Sequence, residues 1–239
     1  MNIAIILAAG DSKRLQPTRH PSRKNHRRGI NKIFYRIRGK PLIFYTIRAF
    51  EKHPQVDGII LVAREWDSKK FFILIKKYKL KKIKLIVKGG EERQDSTFNG
   101  LKAAEKLGAK SGDLILFHNG ANPLVSQNEI ANVIRAAKKN KVALVAQPAR
   151  DTIKEKDKNG FVIRTISREK IFLAQTPQVI EYKLARRAFE KARREKFHGT
   201  DDVSLVERLG VKPKIVPASS KNIKVTYPED LKFIENLLK

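Results

Sequence analysis

The sequence predicts an α/β fold with a doubly wound, mostly parallel β-sheet, and three observations support this prediction. Short apolar runs such as 2–7 and 58–62 are typical of strands buried on both faces of a sheet. Stretches with apolar residues at helical spacing separate these runs, so the parallel strands require right-handed crossovers. Hydrophobic residues make up 41% of the 239 residues, which is enough for one large core. We therefore expect a single domain over residues 1–239.

The first predicted strand, 2–7, ends in a small-residue turn, Ala-Ala-Gly at 8–10, and the polar residues 11–14 follow it. Small residues let a ligand lie directly against the backbone, because no large side chain blocks its approach. Exposed N–H groups of such a turn, beside two cations, favour phosphate. Ligands of open α/β sheets bind at this edge. The alternative is an ordinary tight turn whose cations are solvated.

A basic segment follows the turn, and its prolines Pro17 and Pro21 exclude a continuous helix. We interpret 16–31 as a loop over the end of the first strand, where cations can close on phosphates. An ordinary surface insertion is the alternative. Beyond it, strands and helices alternate, with Pro41 opening one helix and Ser126 capping another. The predicted strands are 33–37, 56–63, 84–87, 113–117 and 143–147, and the predicted helices are 41–51, 67–78, 96–107 and 126–139.

A β-hairpin is predicted after residue 150. Alternating segments at 152–155 and 161–166 flank an Asn-Gly pair, which is a strong turn signal. A two-stranded hairpin is not stable alone, so we expect the arm 150–170 to pack on the same arm of a second subunit. After the arm, 174–178 returns the chain to the core. The remaining predictions are helices at 182–195 and 202–209, a strand at 214–217, a short strand from Lys224 and a last helix from Pro228.

The formal net charge of +28 suggests an anionic partner. Lys and Arg are spread over nearly every predicted helix, and no aromatic residues interleave with the densest run, 19–28, so nucleic acid is not the expected partner. A nucleic-acid-binding module stays an alternative. Without cysteine, disulfides and thiolate metal sites are excluded. No apolar run approaches membrane-spanning length and no signal peptide is recognisable, so we expect a cytoplasmic protein without a membrane partner.

Four strand-end loops carry small or polar residues: 8–14, 89–96, 118–123 and 148–152. We expect them to converge at one edge of the sheet. Together they resemble the 2-C-methyl-D-erythritol 4-phosphate cytidylyltransferase family of the non-mevalonate isoprenoid pathway, over nearly the whole chain. The resemblance is carried by Ala8-Ala9-Gly10 with Arg14, Lys32, Gly89-Gly90-Glu91-Glu92-Arg93 with Ser96, the loop 118–123, Arg150-Asp151-Thr152, Thr176-Pro177-Gln178, Thr200-Asp201-Asp202 and Asn222-Ile223-Lys224-Val225-Thr226.

The resemblance implies transfer of a cytidylyl group from CTP to a sugar-alcohol phosphate, with Mg²⁺ as cofactor and pyrophosphate as leaving group. It implies a glycosyltransferase-A-like nucleotidyltransferase fold with a protruding β-arm, working as a homodimer. The acceptor phosphate is already anionic at neutral pH, so no general base is needed. Catalysis then reduces to aligning two anions and neutralising charge at the α-phosphorus.

The resemblance also implies roles for individual residues. Arg14 and Lys32 would contact the triphosphate, and Lys224 would stabilise charge near the reacting phosphate. The partner subunit's site would receive two residues of the arm, Thr152 and Arg168, which would hold the acceptor's phosphate. The cytosine and ribose would contact Ala8, Ala9, Gly10, Gly90 and Ser96, with Asn119 on the nucleotide side and Thr200 and Asn122 on the acceptor side.

Several positions depart from the family pattern. The loop 118–123 reads His-Asn-Gly-Ala-Asn-Pro where the family has His-Asp-Ala-Ala-Arg-Pro, so Asn119 replaces an acid and Asn122 a base. Ser12 replaces a glycine, and 18–30 lengthens the basic loop. These changes leave the metal's ligands unassigned and the acceptor open. Ribitol 5-phosphate is an alternative acceptor, and a catalytically weakened nucleotide-binding homologue is a further alternative. We interpret His118 as structural.

Overall fold

A seven-stranded sheet forms the centre of the computed structural model, which describes residues 1–12 and 31–238. The strands are β1 Asn2–Ala8, β2 Arg36–Ile37, β3 Lys40–Pro41, β4 Gly58–Ala63, β5 Ile83–Lys88, β6 Leu114–Asn119, β7 Val142–Pro148, β8 Ile153–Lys156, β9 Val162–Ile166, β10 Phe172–Glu181 and β11 Lys214–Pro217. The helices are α1 Leu42–Lys52, α2 Ser68–Tyr78, α3 Arg93–Lys106, α4 Gln127–Asn140, α5 Tyr182–Arg194, α6 Asp202–Glu207 and α7 Pro228–Leu237.

The order of the central sheet is β11-β7-β10-β6-β1-β4-β5. Neighbouring strands run parallel except at β10, which is antiparallel to both β6 and β7. This confirms the mostly parallel α/β fold. The β2–β3 and β8–β9 pairs form separate two-stranded sheets.

Two hydrophobic cores cover the two faces of the sheet. Along β1, Ala4 and Ile6 belong to one core and Ile3 and Ile5 to the other, as the two-residue period of a strand requires. All four side chains are fully buried, and each isoleucine contributes about 1.5–3 kcal/mol to folding. Burial on both faces explains why the strand reads as a continuous apolar run. It also holds the end of β1 rigidly at the carboxyl edge of the sheet.

Two predictions of local structure were wrong, and a third was incomplete. The region 33–37 is not one strand, because Asn31 caps a 3-10 turn at Lys32–Phe34 before the two-residue β2. The residues from Lys224 form no strand, since Val225 makes only a single backbone hydrogen bond to Ala121 rather than a ladder. The region 174–178 returns the chain to the core as expected, but it does so inside the ten-residue strand β10, which was not predicted.

The predicted hairpin is confirmed: β8 and β9 pair antiparallel across the turn at 157–160. Asp157 accepts backbone hydrogen bonds from Asn159 and Phe161, which closes the turn. The arm exposes three consecutive apolar side chains, Phe161 (73%), Val162 (60%) and Ile163 (60%). Exposed apolar surface of this kind marks an interaction surface. Within residues 1–12 and 31–238, none of the helices has the length and hydropathy needed to cross a membrane.

Candidate active site

A cavity of about 420 Å³ lies at the carboxyl ends of β1 and β6. Three of the four predicted strand-end loops line it, through residues of 7–12, 90–96 and 119–121. A second cavity of about 200 Å³ adjoins it, and the two share Arg93, Asn119 and Lys224 as lining residues. The fourth loop, 148–152, lines neither cavity. This corrects the expected convergence of all four loops, because β10 lies between β7 and β6 and separates the end of β7 from the pocket.

Two glycines allow close contacts at this wall: Gly89 lets the loop 89–96 approach the loop 8–14, and Gly90 lets the loop 89–96 fold back on the start of α3. A Cβ on Gly89 would lie 2.5 Å from the Ala9 Cβ, and a Cβ on Gly90 would lie 2.2 Å from the Asp95 Cβ. The Gly90 N–H donates to the Ser96 Oγ at 3.0 Å, which ties this loop to the first turn of α3. The predicted nucleotide residues Ala8, Ala9, Gly10, Gly90 and Ser96 therefore lie together as one backbone-rich wall of the larger cavity.

Two lysines face this wall. Lys32 and Lys224 both line the larger cavity, and the Lys32 Nζ donates to the Val225 carbonyl at 2.6 Å. The buried Asn222 holds the 222–225 segment in place by donating to the Thr176 carbonyl at 2.9 Å. The two predicted cations thus come from segments nearly 200 residues apart in sequence; both bring positive charge to the larger cavity, and Lys224 also lies at its boundary with the smaller one.

Arg93 is a further cation at the boundary between the two cavities, since it lines both of them. Its role was not identified from the sequence. Its guanidinium donates two hydrogen bonds, of 2.9 and 2.6 Å, to the two carboxylate oxygens of buried Asp202. Burial opposes the charged guanidinium, yet the carboxylates of Asp202 and Asp201 outweigh that effect and raise the pKa of Arg93. The ion pair connects the start of α3 to the start of α6. The Glu-Glu-Arg motif at 91–93 indicates a cation near the site. That Asp202 is its ion-pair partner can be seen only in the folded structure.

We expect Asp202→Asn to lower the free energy of unfolding by about 1–2 kcal/mol, since the buried side of the pair loses its charge while the Arg93 side chain, 36% exposed, is partly screened by solvent. The matched control is Glu155→Gln, which breaks the exposed Arg164 pair of the arm and should cost less than about 1 kcal/mol. Urea denaturation of both variants measures the difference. Equal losses would show that the Arg93–Asp202 pair contributes no more than a surface pair.

His118 is fully buried and lines neither cavity. Its ring lies 4.8 Å from the Phe50 ring, and its Nε2 lies 3.0 Å from the Asn122 carbonyl oxygen. Burial lowers the pKa of His118 to about 4, so the ring is neutral at physiological pH. This agrees with its interpretation as a structural residue.

The lowered pKa of His118 predicts a loss of stability in acid. The unfolded chain binds a proton near pH 6.5 and the folded chain only near pH 4, so unfolding becomes easier as the pH falls between these values. The contribution reaches at most about 3 kcal/mol. We expect His118→Gln to flatten the fall in unfolding free energy between pH 7 and 4.5, measured by urea titrations. Parallel curves for the two proteins would contradict the assignment.

The remaining predicted residues divide into three groups. Asn119, Asn122 and Thr200 line the smaller cavity together with Lys224. Thr152 and Arg168 belong to the region of the arm and line neither cavity of their own chain; Arg168 donates to the Arg150 carbonyl beside Thr152. Arg14 lies outside the described residues, as does the predicted basic loop up to residue 30.

The oxygen donors of the larger cavity suit a hard cation that is held mainly by phosphate oxygens of a bound molecule. Asp11, Glu91 and Asn119 line the cavity, but the described residues include no cluster of three or more Asp, Glu or His side chains. Mg²⁺ commonly uses one or two carboxylates and completes its shell with phosphate oxygens and water. The donor set therefore fits Mg²⁺ that arrives with a polyphosphate.

Comparison with known proteins gives a consistent result. The family model for 2-C-methyl-D-erythritol 4-phosphate cytidylyltransferase matches residues 2–239. Proteins of that name from Caldanaerobacter subterraneus subsp. tengcongensis and Syntrophus aciditrophicus are 40% and 38% identical to this chain; the alignments cover 100% and 99% of it and 100% and 95% of the relatives. The crystal structure of 4-diphosphocytidyl-2C-methyl-D-erythritol synthase from Anaerococcus prevotii has a TM-score of 0.83 at 30% identity, covering 99% of this chain and 95% of that chain.

Proposed function

The chain belongs to the 2-C-methyl-D-erythritol 4-phosphate cytidylyltransferase family, and we propose that it transfers the cytidylyl group of CTP to 2-C-methyl-D-erythritol 4-phosphate. The observation that carries this proposal is the pair of adjoining cavities with three shared lining residues, Arg93, Asn119 and Lys224. Two anionic substrates bound side by side need this arrangement: one cavity for each, and cations at their junction.

In this proposal the larger cavity binds CTP. The cytosine and ribose lie against the wall formed by Ala8, Ala9, Gly10, Gly90 and Ser96, where the backbone can be reached directly. Asn119 lies beside the ribose. Lys32 and Arg14 contact the triphosphate. The volume of about 420 Å³ is in the range of small-molecule sites.

The smaller cavity binds the acceptor, with Thr200 and Asn122 near its hydroxyl groups. An acceptor phosphate oxygen attacks the α-phosphorus, the new phosphorus–oxygen bond forms, and the bond to the β-phosphate oxygen breaks as pyrophosphate leaves. No proton has to be removed from the nucleophile. Lys32 and Lys224 stabilise the charge that collects on the pentacoordinate phosphorus and the leaving group.

Mg²⁺ is the proposed cofactor. Asp11 and Asn119 are the residues we assign to hold it, together with phosphate oxygens of CTP. When bound, the ion neutralises phosphate charge and orients the leaving pyrophosphate. The replacement of an acid by Asn119 leaves fewer protein charges for the ion, so the triphosphate supplies most of the affinity.

We also propose a homodimer joined through the arm, in which Thr152 and Arg168 reach the acceptor cavity of the partner subunit. Neither residue lines either of the two cavities described above, and the arm exposes a stretch of apolar side chains suited to a second copy. Whether the protein works in the cytoplasm stays a prediction.

The direct test is incubation of the purified protein with CTP, Mg²⁺ and 2-C-methyl-D-erythritol 4-phosphate, with pyrophosphate and the diphosphocytidyl-methylerythritol product both quantified. We expect stoichiometric formation of the two products and none when any component is omitted. Ribitol 5-phosphate in place of the acceptor is the specificity control. Turnover only with ribitol 5-phosphate would change the assigned acceptor, and salt-sensitive RNA retention without any turnover would replace the enzyme by a nucleic-acid-binding protein.

A further inference from the structure

Asn31 lines the larger cavity, although it is only 1% exposed. Its Nδ2 donates to the Ala8 carbonyl at 2.9 Å and lies 3.3 Å from the Asp67 carboxylate. Its Oδ1 accepts from the Ile33 N–H at 3.4 Å, which caps the 3-10 turn. One buried amide therefore connects the end of β1, the turn that carries Lys32 and the segment that follows β4.

Ser12 completes the connection on the cavity side. Its backbone is held at a φ of 58°, and its Oγ accepts the Lys32 N–H at 2.9 Å. The same hydroxyl donates to the Asn31 Oδ1 at 3.4 Å. The backbone of Lys32 is thus fixed by the hydroxyl of Ser12, while its Nζ is fixed by the Val225 carbonyl.

The Asp67 carboxylate restricts the position of the Asn31 amide. This carboxylate is completely buried and is paired with the Arg64 Nε at 2.7 Å and the Lys70 Nζ at 3.2 Å. A buried charge with several partners has little freedom to move, because every displacement leaves part of it unsatisfied. Asn31 therefore has a fixed reference point in the 3-10 turn at Glu65–Asp67, which follows β4 and precedes α2.

We propose that Asn31 is a positioning residue for Lys32: its amide transmits the fixed geometry of Ala8 and Asp67 to the turn, and so places the Lys32 backbone where its Nζ can reach the Val225 carbonyl. The catalytic part of this inference rests on the proposed function, whereas the positional part does not. Asn31 lines the larger cavity, but in this proposal its effect on the reaction comes through the residue that follows it.

The positional part is tested by the acetylation rate of Lys32 relative to exposed Lys40 in the same sample, measured by mass spectrometry after limiting acetic anhydride. In Asn31→Ala we expect this ratio to rise at least about threefold, because the amine loses its defined position. Ser12→Ala removes only the second contact and should raise the ratio less. Gln127→Ala, which deletes an amide-to-carbonyl hydrogen bond to Ala49 far from the cavity, is the control and should leave it unchanged.

The catalytic part is tested by steady-state kinetics of the same variants. Asn31→Ala should lower kcat about 10- to 100-fold and change the KM for CTP by less than about threefold, as expected when alignment in the transition state is lost. Asn31→Asp, which removes the donor and places a second carboxylate beside Asp67, should be at least as impaired. Urea denaturation confirms that each variant is folded under the assay conditions.

An unchanged acetylation ratio in Asn31→Ala would overturn the proposal, whatever happens to kcat. A raised ratio with wild-type kcat would also overturn it, since the position of Lys32 would then not matter to the reaction. A wild-type protein without turnover would refute the proposed function separately, and the acetylation ratio would still decide whether Asn31 positions Lys32.

Discussion

Lys32→Ala is expected to lower kcat by about 100- to 1000-fold, which is the effect of removing one preorganised charge from a site where negative charge develops. The free energy of unfolding should change by less than about 1 kcal/mol, because a partly exposed lysine contributes little to stability. Pyrophosphate release at saturating CTP and acceptor measures the first effect, and urea denaturation measures the second.

The matched control is Lys40→Ala, which removes an exposed lysine at β3, outside both cavities. It changes the net charge equally and should leave kcat within about twofold of wild type. Pyrophosphate release by Lys32→Ala at the wild-type rate would remove this residue from the mechanism. Equal loss in both variants would show that the effect comes from overall charge.

The second large effect is expected for Arg168→Ala, which should raise the KM for the acceptor about 10- to 100-fold, as loss of a charge-assisted contact to a phosphate does. CTP binding, measured by calorimetry, should stay within about twofold. Lys170→Ala, on the same 3-10 turn as Arg168, is the control for charge on the arm. An unchanged acceptor KM would exclude Arg168 from substrate binding.

Mixed dimers show whether the arm acts on the partner subunit. When Lys32→Ala and Arg168→Ala chains reassort at random, half of the dimers are mixed, and each mixed dimer regains one intact site of two. Assayed at an acceptor concentration well below the raised KM of Arg168→Ala, activity should therefore return to about a quarter of wild type, and to about half in isolated mixed dimers. Complete inactivity of the mixture would contradict donation of Arg168 between subunits.

Local sequence patterns were enough to predict most of the fold. The run that contains Ile3, Ile5 and Ile6 indicates a strand buried on both faces, and the two cores that divide these side chains confirm it. Strand β10 was missed because its middle is polar and contains Pro177, which has no N–H for the ladder. Its place between β6 and β7 depends on contacts distant in sequence, and no local pattern encodes them.

The candidate site was predictable in part. Small residues at strand ends and the family motifs indicate the nucleotide wall and the two lysines, and these do lie together. The partners of Arg93 and Asn31 were not predictable, since Asp202 and Asp67 are 109 and 36 residues away in sequence. Both pairings follow from the packing of separate segments against the sheet, so only the three-dimensional structure identifies them.

The structure shows what the two residues that depart from the family pattern, Asn119 and Asn122, contact. Asn122 is 2% exposed, and its Nδ2 donates to the Asn222 Oδ1 at 3.3 Å, so it belongs to the support of the smaller cavity. Asn119 lies within 3.5 Å of the Thr176 Oγ1 at the boundary of the two cavities. Neutral amides in both places keep the local charge balanced, and the cations of this region are Lys32, Arg93 and Lys224.

A crystal structure with CTP and Mg²⁺ bound would show directly whether the larger cavity binds the nucleotide with its phosphates at the two lysines. We expect the cytosine to lie against Ala8–Gly10 and Gly90, and the triphosphate to lie between that wall and the Nζ atoms of Lys32 and Lys224. The α-phosphorus should face the smaller cavity. A nucleotide bound elsewhere, or one in the cavity with both lysines turned away from its phosphates, would contradict this expectation.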